Sequence, residues 1–368
     1  MTRDIETNEV TVEFDTECPS CAASIAFDPA SGLLECPYCG YRAEIPIPEQ
    51  QQDTIAREIN FHDAQARGNF DWGVEKKRII CEACAAETIY DALQVADTCP
   101  YCGSHQVMEA SASDTLAPNG VIPFAVTKQQ AGEAFHQWIK GRIFTPSKAK
   151  KSAKPDAFQG VYMPFWTFDT NTMSHYSARY GINHYYTDRE GKTQVETKWY
   201  RTSGIYQQHY DDYLVSATNR YDRDMLAKIQ PFDSNNAKGY KPEYVAGFLA
   251  ERYSIGLDDG WRIAQQGIHG DLDSQIRQEI RMRHRADHVQ SLQFSTTHDD
   301  ITFKYVMLPI WLSSFQYKQK LYRFMVNGQT GKVGGDAPIS PLRVAIAIML
   351  TMLVIGIFYV LFGESSYY

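Results

Sequence analysis

Residues 18–40 read CPSCAASIAFDPASGLLECPYCG, which sets two Cys-x2-Cys pairs, Cys18/Cys21 and Cys36/Cys39, 14 residues apart. Each pair turns its two sulfurs toward one point. A short hairpin that brings two such turns together supplies four thiolates in a tetrahedron with no open position, the donor set of a closed, structural zinc site. The pattern then recurs with identical internal spacing as Cys81-x2-Cys84-x14-Cys99-x2-Cys102. Both copies end in CPYCG, at 36–40 and 99–103, where Pro favours the tight turn and Gly tolerates positive φ. All eight cysteines fall in these four pairs. The start MTRDIETNEV is acidic and polar and does not resemble a signal peptide, so reduced, metal-bound thiolates fit better than a disulfide framework. A redox Cys-x-x-Cys would not need a second pair at fixed distance, and iron in a rubredoxin-like site is the minor rival to zinc.

Charge divides along the 368 residues. Residues 1–110 carry 7 Lys+Arg against 20 Asp+Glu, a formal −13, whereas residues 111–368 carry 29 against 24, a formal +5. Each four-thiolate site with a divalent ion adds −2, so filling both brings the first segment to about −17. Nucleic-acid affinity comes largely from Lys and Arg neutralising phosphates. The ribbons have too few of either and are expected to recognise protein.

Outward from the cysteine modules, residues 45–75 open as a Pro/Gln-rich linker, with a short helix expected around Ile55 to Ala66. Past Pro118, KQQAGEAFHQWIKGR places Ala131, Phe135, Trp138 and Ile139 on one helical face suited to a sheet. SKAKKSAKPD (147–156) is basic, lacks large apolar residues and reads as a loop. From Gly160, GVYMPFWTFD, SHYSARYGINHYY and TQVETKWYRTSGIYQQHYDDYLVSA alternate as strands of an antiparallel meander, with DREG (188–191) as a turn. Residues 222–290 read mainly as helices, including a long one beginning near Asp271 or Asp273. Strands return at residues 302–335. The segments YMPFW (162–166) and MLPIW (307–311) share an apolar-Pro-apolar-Trp core, which raises the expectation of two related β halves.

Val344 to Phe362 is 19 residues without a charge, enough at about 1.5 Å per residue to span a bilayer core of about 30 Å. Lys318, Lys320, Arg323, Lys332 and Arg343 precede it and no Lys or Arg follows, so the positive-inside rule puts the bulk of the chain in the cytoplasm.

Other constellations carry less chemistry. NGQTGK (327–332) lacks the spacing and the Ser/Thr of a phosphate-binding loop and reads as a hairpin turn using Asn327-Gly328 and Gly331. His284 and His288 at i, i+4 on an expected helix would chelate a metal only with a third convergent ligand, and a solvated Arg/His-rich face is the plainer reading. The basic runs 140–154 and 277–285 suit anionic headgroups or plain solvent. There is no G-x-S-x-G elbow and no cysteine outside the four pairs, so catalysis is the weaker expectation.

The chain resembles bacterial membrane-anchored proteins with paired zinc ribbons, a family often labelled transcription-factor-IIB-type zinc-ribbon or primosomal-helicase-like. The resemblance is carried by the CPYCG knuckles, by residues 120–146 and 160–169, and by LPIW followed by YRFMVNGQTGKVGGDAP. It implies recruitment to membranes under envelope stress and carries no catalytic residues. The expected fold is therefore α+β: a first zinc ribbon at 1–44, a linker at 45–75, a second ribbon at 76–110, a central antiparallel-sheet α+β domain at 111–340 and one transmembrane helix at 341–363. The expected metal ligands are Cys18, Cys21, Cys36, Cys39, Cys81, Cys84, Cys99 and Cys102, holding two structural zinc ions. The expected function is that of a non-enzymatic adaptor at the cell inner membrane, single-pass, with cytoplasmic or membrane-associated protein partners, the lipid bilayer engaged through the C-terminal helix, and self-association open. Nucleic-acid binding by the ribbons and a membrane-associated metal-dependent enzyme are the alternatives.

Overall fold

The computed structural model describes residues 17–45, 56–63, 76–81, 87–91, 107–110, 116–151, 158–189, 191–219, 221, 223–318 and 320–362. Three short strands, β1 (Ala26–Asp28) and β2 (Leu33–Glu35) between the two cysteine pairs of the first module and β3 (Arg42–Ala43) just after the second pair, form a small antiparallel sheet. A larger, mostly antiparallel sheet follows. It begins with β4 (Ile59–Asn60), β5 (Lys76–Cys81), β6 (Glu87–Asp91), β7 (Val107–Ala110) and β8 (Gly120–Val121). Then come α1 (Lys128–Gly141), α2 (Ser147–Lys150), β9 (Gln159–Thr187), β10 (Thr193–Ser216), α3 (Arg223–Ile229), β11 (Lys238–Gly239), α4 (Pro242–Val245), β12 (Leu249–Glu251), α5 (Leu257–His284), β13 (His288–Tyr317), β14 (Lys320–Asn327), β15 (Val333–Gly335) and α6 (Pro341–Phe362).

The spine of the large sheet is β9 beside β13, strands of 29 and 30 residues paired antiparallel from Gln159↔Leu312 to Gly181↔His288. The runs read separately as GVYMPFWTFD and SHYSARYGINHYY are one strand, and β13 starts 14 residues before Thr302, because polar alternation continues a strand wherever one face meets water. Bulges at Tyr210/Tyr213, Gln290/Gln293 and Asp299/Thr302 increase the local twist of these long ribbons. Near the prolines both faces are buried. Tyr162, Trp166, Phe168, Phe303, Tyr305 and Trp311 join the core under α1 and α5, while Val161, Met163, Phe165, Val306, Leu308 and Ile310 pack with Leu226 and Ile229 of α3 on the other side. Burial on both sides explains why these stretches are apolar without alternation.

α1 follows its expected pattern. A capping box joins Thr127 and Gln130, and Ala131, Phe135 and Ile139 are buried, with the Phe135 ring stacked 3.7 Å from that of Phe324. Three local expectations need correction. The long helix α5 starts at Leu257, not near Asp271, because its glycines are packing residues: a Cβ at Gly260 would lie 2.7 Å from Trp166 Cδ1. Residues 56–63 form β4 and a 3-10 turn in place of a helix, since Ile59 and Asn60 pair with Phe303 and Thr302. Ser147–Lys150, read as loop, make one helical turn after Pro146.

The two Pro-Trp segments build related halves. β12 pairs parallel with β9 at Val161 and Tyr162, and β8 pairs parallel with β13 at Val306 and Met307, in each case three and two residues before the proline. Each hairpin partner joins one residue after the proline, at Phe165↔Ser216 and Ile310↔Asn327. Seven residues beyond Gly120 and Leu249 stand the N-caps Thr127 and Gly256, and the buried positions of the helices then match: Ala131, Gly132, Phe135 and Ile139 against Gly260, Trp261, Ala264 and Ile268. The hydrogen bonds match too. Trp166 Nε1 donates to Ile255 O at 2.9 Å, and Trp311 Nε1 to Val126 O at 2.8 Å. Ala217 N–H donates to Pro164 O at 3.0 Å, and Gly328 N–H to Pro309 O at 2.8 Å.

Candidate metal centre

The first module is built from two turns of the same design. Cys18 N–H donates to Ala23 O at 2.7 Å and Ala22 N–H to Cys18 O at 2.8 Å; Cys36 N–H donates to Tyr41 O at 2.8 Å and Gly40 N–H to Cys36 O at 3.0 Å. The residue after the second cysteine is left-handed in both, Gly40 at φ 73° and Ala22 at φ 59°. Gly suits that conformation; Ala22 holds it against its Cβ. β1 and β2 pair from Ala26↔Glu35 to Asp28↔Leu33 and bring the turns face to face.

The four sulfurs of Cys18, Cys21, Cys36 and Cys39 lie within 4.8 Å of one another. The Cys18–Cys39 and Cys21–Cys36 sulfur separations are 3.5 and 3.6 Å. A tetrahedron with metal–sulfur bonds of about 2.3 Å has edges of about 3.8 Å, so the donor set fits a metal ion. Protons fit it less well. N–H groups of Cys39 and Tyr38 draw the Cys36 thiol down to about 7 against its burial. At Cys21 the Ala23 N–H works the other way from the neighbouring sulfurs, which together push that thiol up to about 12. The Cys36 thiol ionises readily while that of Cys21 resists, and a cation at the centre removes that conflict. Cys18 and Cys36 are buried, whereas Cys21 and Cys39 face solvent.

The module is fixed to the large domain through Phe27. Its N–H donates to Ala246 O at 3.0 Å, and its ring stands 6.0 Å edge-on from Tyr244 of α4. Of the second module, β5, β6 and β7 are described, and they join the large sheet where β6 pairs with β12 at Ile89↔Ala250. Cys81 ends β5; its side chain and Cys84, Cys99 and Cys102 lie outside the described residues.

Sequence reasoning did not find a second cluster, in which oxygens of Glu58, Asp169 and Asp211 lie within 4.8 Å of one another. It forms only because β4 and the bulges of β10 and β13 bring distant segments together. A cation is already there. Lys304 Nζ lies 2.5 Å from Asp212 Oδ1 and 3.5 Å from Glu58 Oε1, and Thr302 Oγ1 donates to Asp169 at 2.7 Å. Burial lowers the Lys304 ammonium, but Asp212, Asp169 and Glu58 outweigh it and hold its pKa above the usual lysine value.

The histidine pair is not a chelate. α5 ends at His284, Arg285 turns left-handed at φ 49°, and His288 begins β13. His284 stacks on Tyr180 at 4.1 Å with its Nε2 3.2 Å from Thr202 Oγ1, and the His288 ring tilts toward Trp199. NGQTGK is the turn between β14 and β15, closed by Asn327 N–H to Lys332 O at 2.9 Å. At the other end of the chain, α6 contains an 18-residue stretch, Pro341–Phe358, long and apolar enough to cross a membrane and not buried against the protein.

Among known proteins, the chain is 30% identical over 329 residues to one from Bacillus subtilis (strain 168) described as "Uncharacterized protein YdjG". The chain belongs to the YdjG family. The match covers 89% of this chain and 91% of the relative, so it runs through the large sheet and does not rest on the cysteine modules alone. No family model matches the chain. No solved structure matches it either.

Proposed function

We propose that this YdjG relative is a non-enzymatic adaptor: two zinc ribbons, each holding one structural Zn²⁺, recognise a protein partner, and α6 anchors the complex in the inner membrane with the bulk of the chain in the cytoplasm. The observation that carries the reading is Tyr38, which stands 80% exposed on the CPYCG turn of a closed four-sulfur centre, beside Tyr41 at 38%. A closed site has no position for substrate, so its output is shape. A large aromatic held in water on a metal-stiffened turn loses little side-chain freedom on docking, which is why Tyr dominates protein-recognition hot spots. The acidity of residues 1–110 favours a basic protein surface over nucleic acid.

The test uses the full chain in detergent. Elemental analysis is expected to give two zinc per chain, falling to one for Cys81→Ser/Cys84→Ser. Iron, or a single ion insensitive to that change, would overturn the ribbon assignment. Partners cross-linked in membranes by the wild type should be lost with Tyr38→Ser/Tyr41→Ser at unchanged metal content, since one hot-spot tyrosine contributes about 30-fold in affinity. Partner capture indifferent to these tyrosines would overturn docking by the first ribbon.

A further inference from the structure

We infer that residues 142–146, the loop between α1 and α2, are the protein's seat on a bilayer rich in anionic headgroups, tied to the base of the membrane helix. The inference rests on the reading that α6 crosses the membrane. Arg343 stands one residue before the uncharged run at Val344, yet its guanidinium is turned back into the protein. Nη1 donates to Ile143 O and Thr145 O, both at 2.8 Å, and Nη2 to Ser147 Oγ at 3.0 Å. Ser340 N–H donates to Phe144 O at 2.8 Å. Four hydrogen bonds thus hold the loop at the depth where the span begins.

At that depth the loop presents Ile143, 76% exposed, and Phe144, 41% exposed, next to Leu342 at 69%. Apolar side chains grouped at the foot of an unburied apolar helix are stabilised by the acyl boundary, not by water. The charge around them matches headgroups. From Glu133 to Asp156 the intervening sequence holds six Lys or Arg and no acid. Lysine stems can lie along the apolar loop while their ammonium groups reach phosphate. The Arg142 guanidinium lies 4.2 Å over the half-buried Trp138 ring, a pairing suited to the interface, where amphipathic aromatics collect. An occupant at this site must share a plane with the start of the span, and that plane belongs to lipid.

The test places a photoreactive benzophenone amino acid at position 143 of the full chain, reconstituted in phosphatidylcholine vesicles with or without phosphatidylglycerol. Position 353 in α6 and position 205 on β10 serve as controls. Lipid adducts are expected at 353 and 143 and not at 205. Those at 143 should be enriched in phosphatidylglycerol over its bulk share by roughly fivefold for each basic side chain engaged. Adducts at 353 without any at 143, or adducts at 143 with no anionic preference, overturn the seat and leave the crossing intact. No adducts at 353 overturn the crossing itself. Arg343→Gln should lower the adduct yield at 143 several-fold while leaving that at 353 unchanged, and an unchanged yield at 143 would count against the tether.

Discussion

Replacing Trp166 or Trp311 with Phe tests whether the two halves are equivalent in energy as well as in geometry. Both indoles are buried, and each donates its one N–H to a carbonyl of the other half, Trp166 to Ile255 and Trp311 to Val126. Phenylalanine keeps an aromatic ring against Tyr253 or Phe124 but leaves that carbonyl without its donor. An unsatisfied buried acceptor costs about 1–3 kcal/mol, and the smaller ring leaves a cavity that adds about 1 kcal/mol more. For a domain of this size each kcal/mol lowers Tm by about 2–4 °C, so each variant should melt roughly 5–15 °C below the wild type. Thermal unfolding of the full chain in detergent, followed by circular dichroism, reads this directly. The two single changes should be similar, and their sum should match the double variant if the sites are independent. A large loss at one site and none at the other would refute the equivalence.

Lys304→Met should cost about 3–5 kcal/mol, because it strands Asp212 and Asp169 without their buried counter-ion; adding Asp212→Asn should recover much of the loss in the same melting assay. His298 stands edge-on to Trp261, and its pKa is lowered by burial, only partly offset by Asp299. Its contribution to stability is complete above the ordinary histidine value of about 6.5 and is lost as pH falls through the lowered one, so His298→Phe should shrink the drop in Tm between about pH 7.5 and pH 5.5. Cys36→Ser should remove one metal equivalent, and acidification should release metal from the wild type as thiolates protonate, both read by elemental analysis after gel filtration.

How much was legible follows the range of the forces involved. The cysteine turns are local, since spacing, Pro and Gly fix their geometry within five residues, and the structure brings Cys18, Cys21, Cys36 and Cys39 together as expected. α1, the hairpin at 327–332 and α6 are likewise set by local periodicity and turn chemistry. The start of α5 was hidden because Gly260 and Gly267 lower local helix propensity; only the Trp166 and Tyr213 side chains packed against them explain why glycine is there. The acidic cluster around Lys304 was invisible for a related reason. Glu58, Asp169, Asp212 and Lys304 are far apart in sequence, and two bulges and a two-residue strand decide that they meet.

The exchange of short parallel strands has a consequence for the chain's assembly. β8 precedes α1 in the first half yet completes the edge of β13, and β12 precedes α5 in the second half yet completes the edge of β9. Neither half can finish its own hydrogen-bonding without the other. A single half would find the missing partners only on a second copy of itself, so the linked chain is in topology a covalently closed, strand-swapped dimer. Its halves are expected to gain structure in one cooperative step, because pairings between residues such as Gly120 and Val306 must close before either core is sealed.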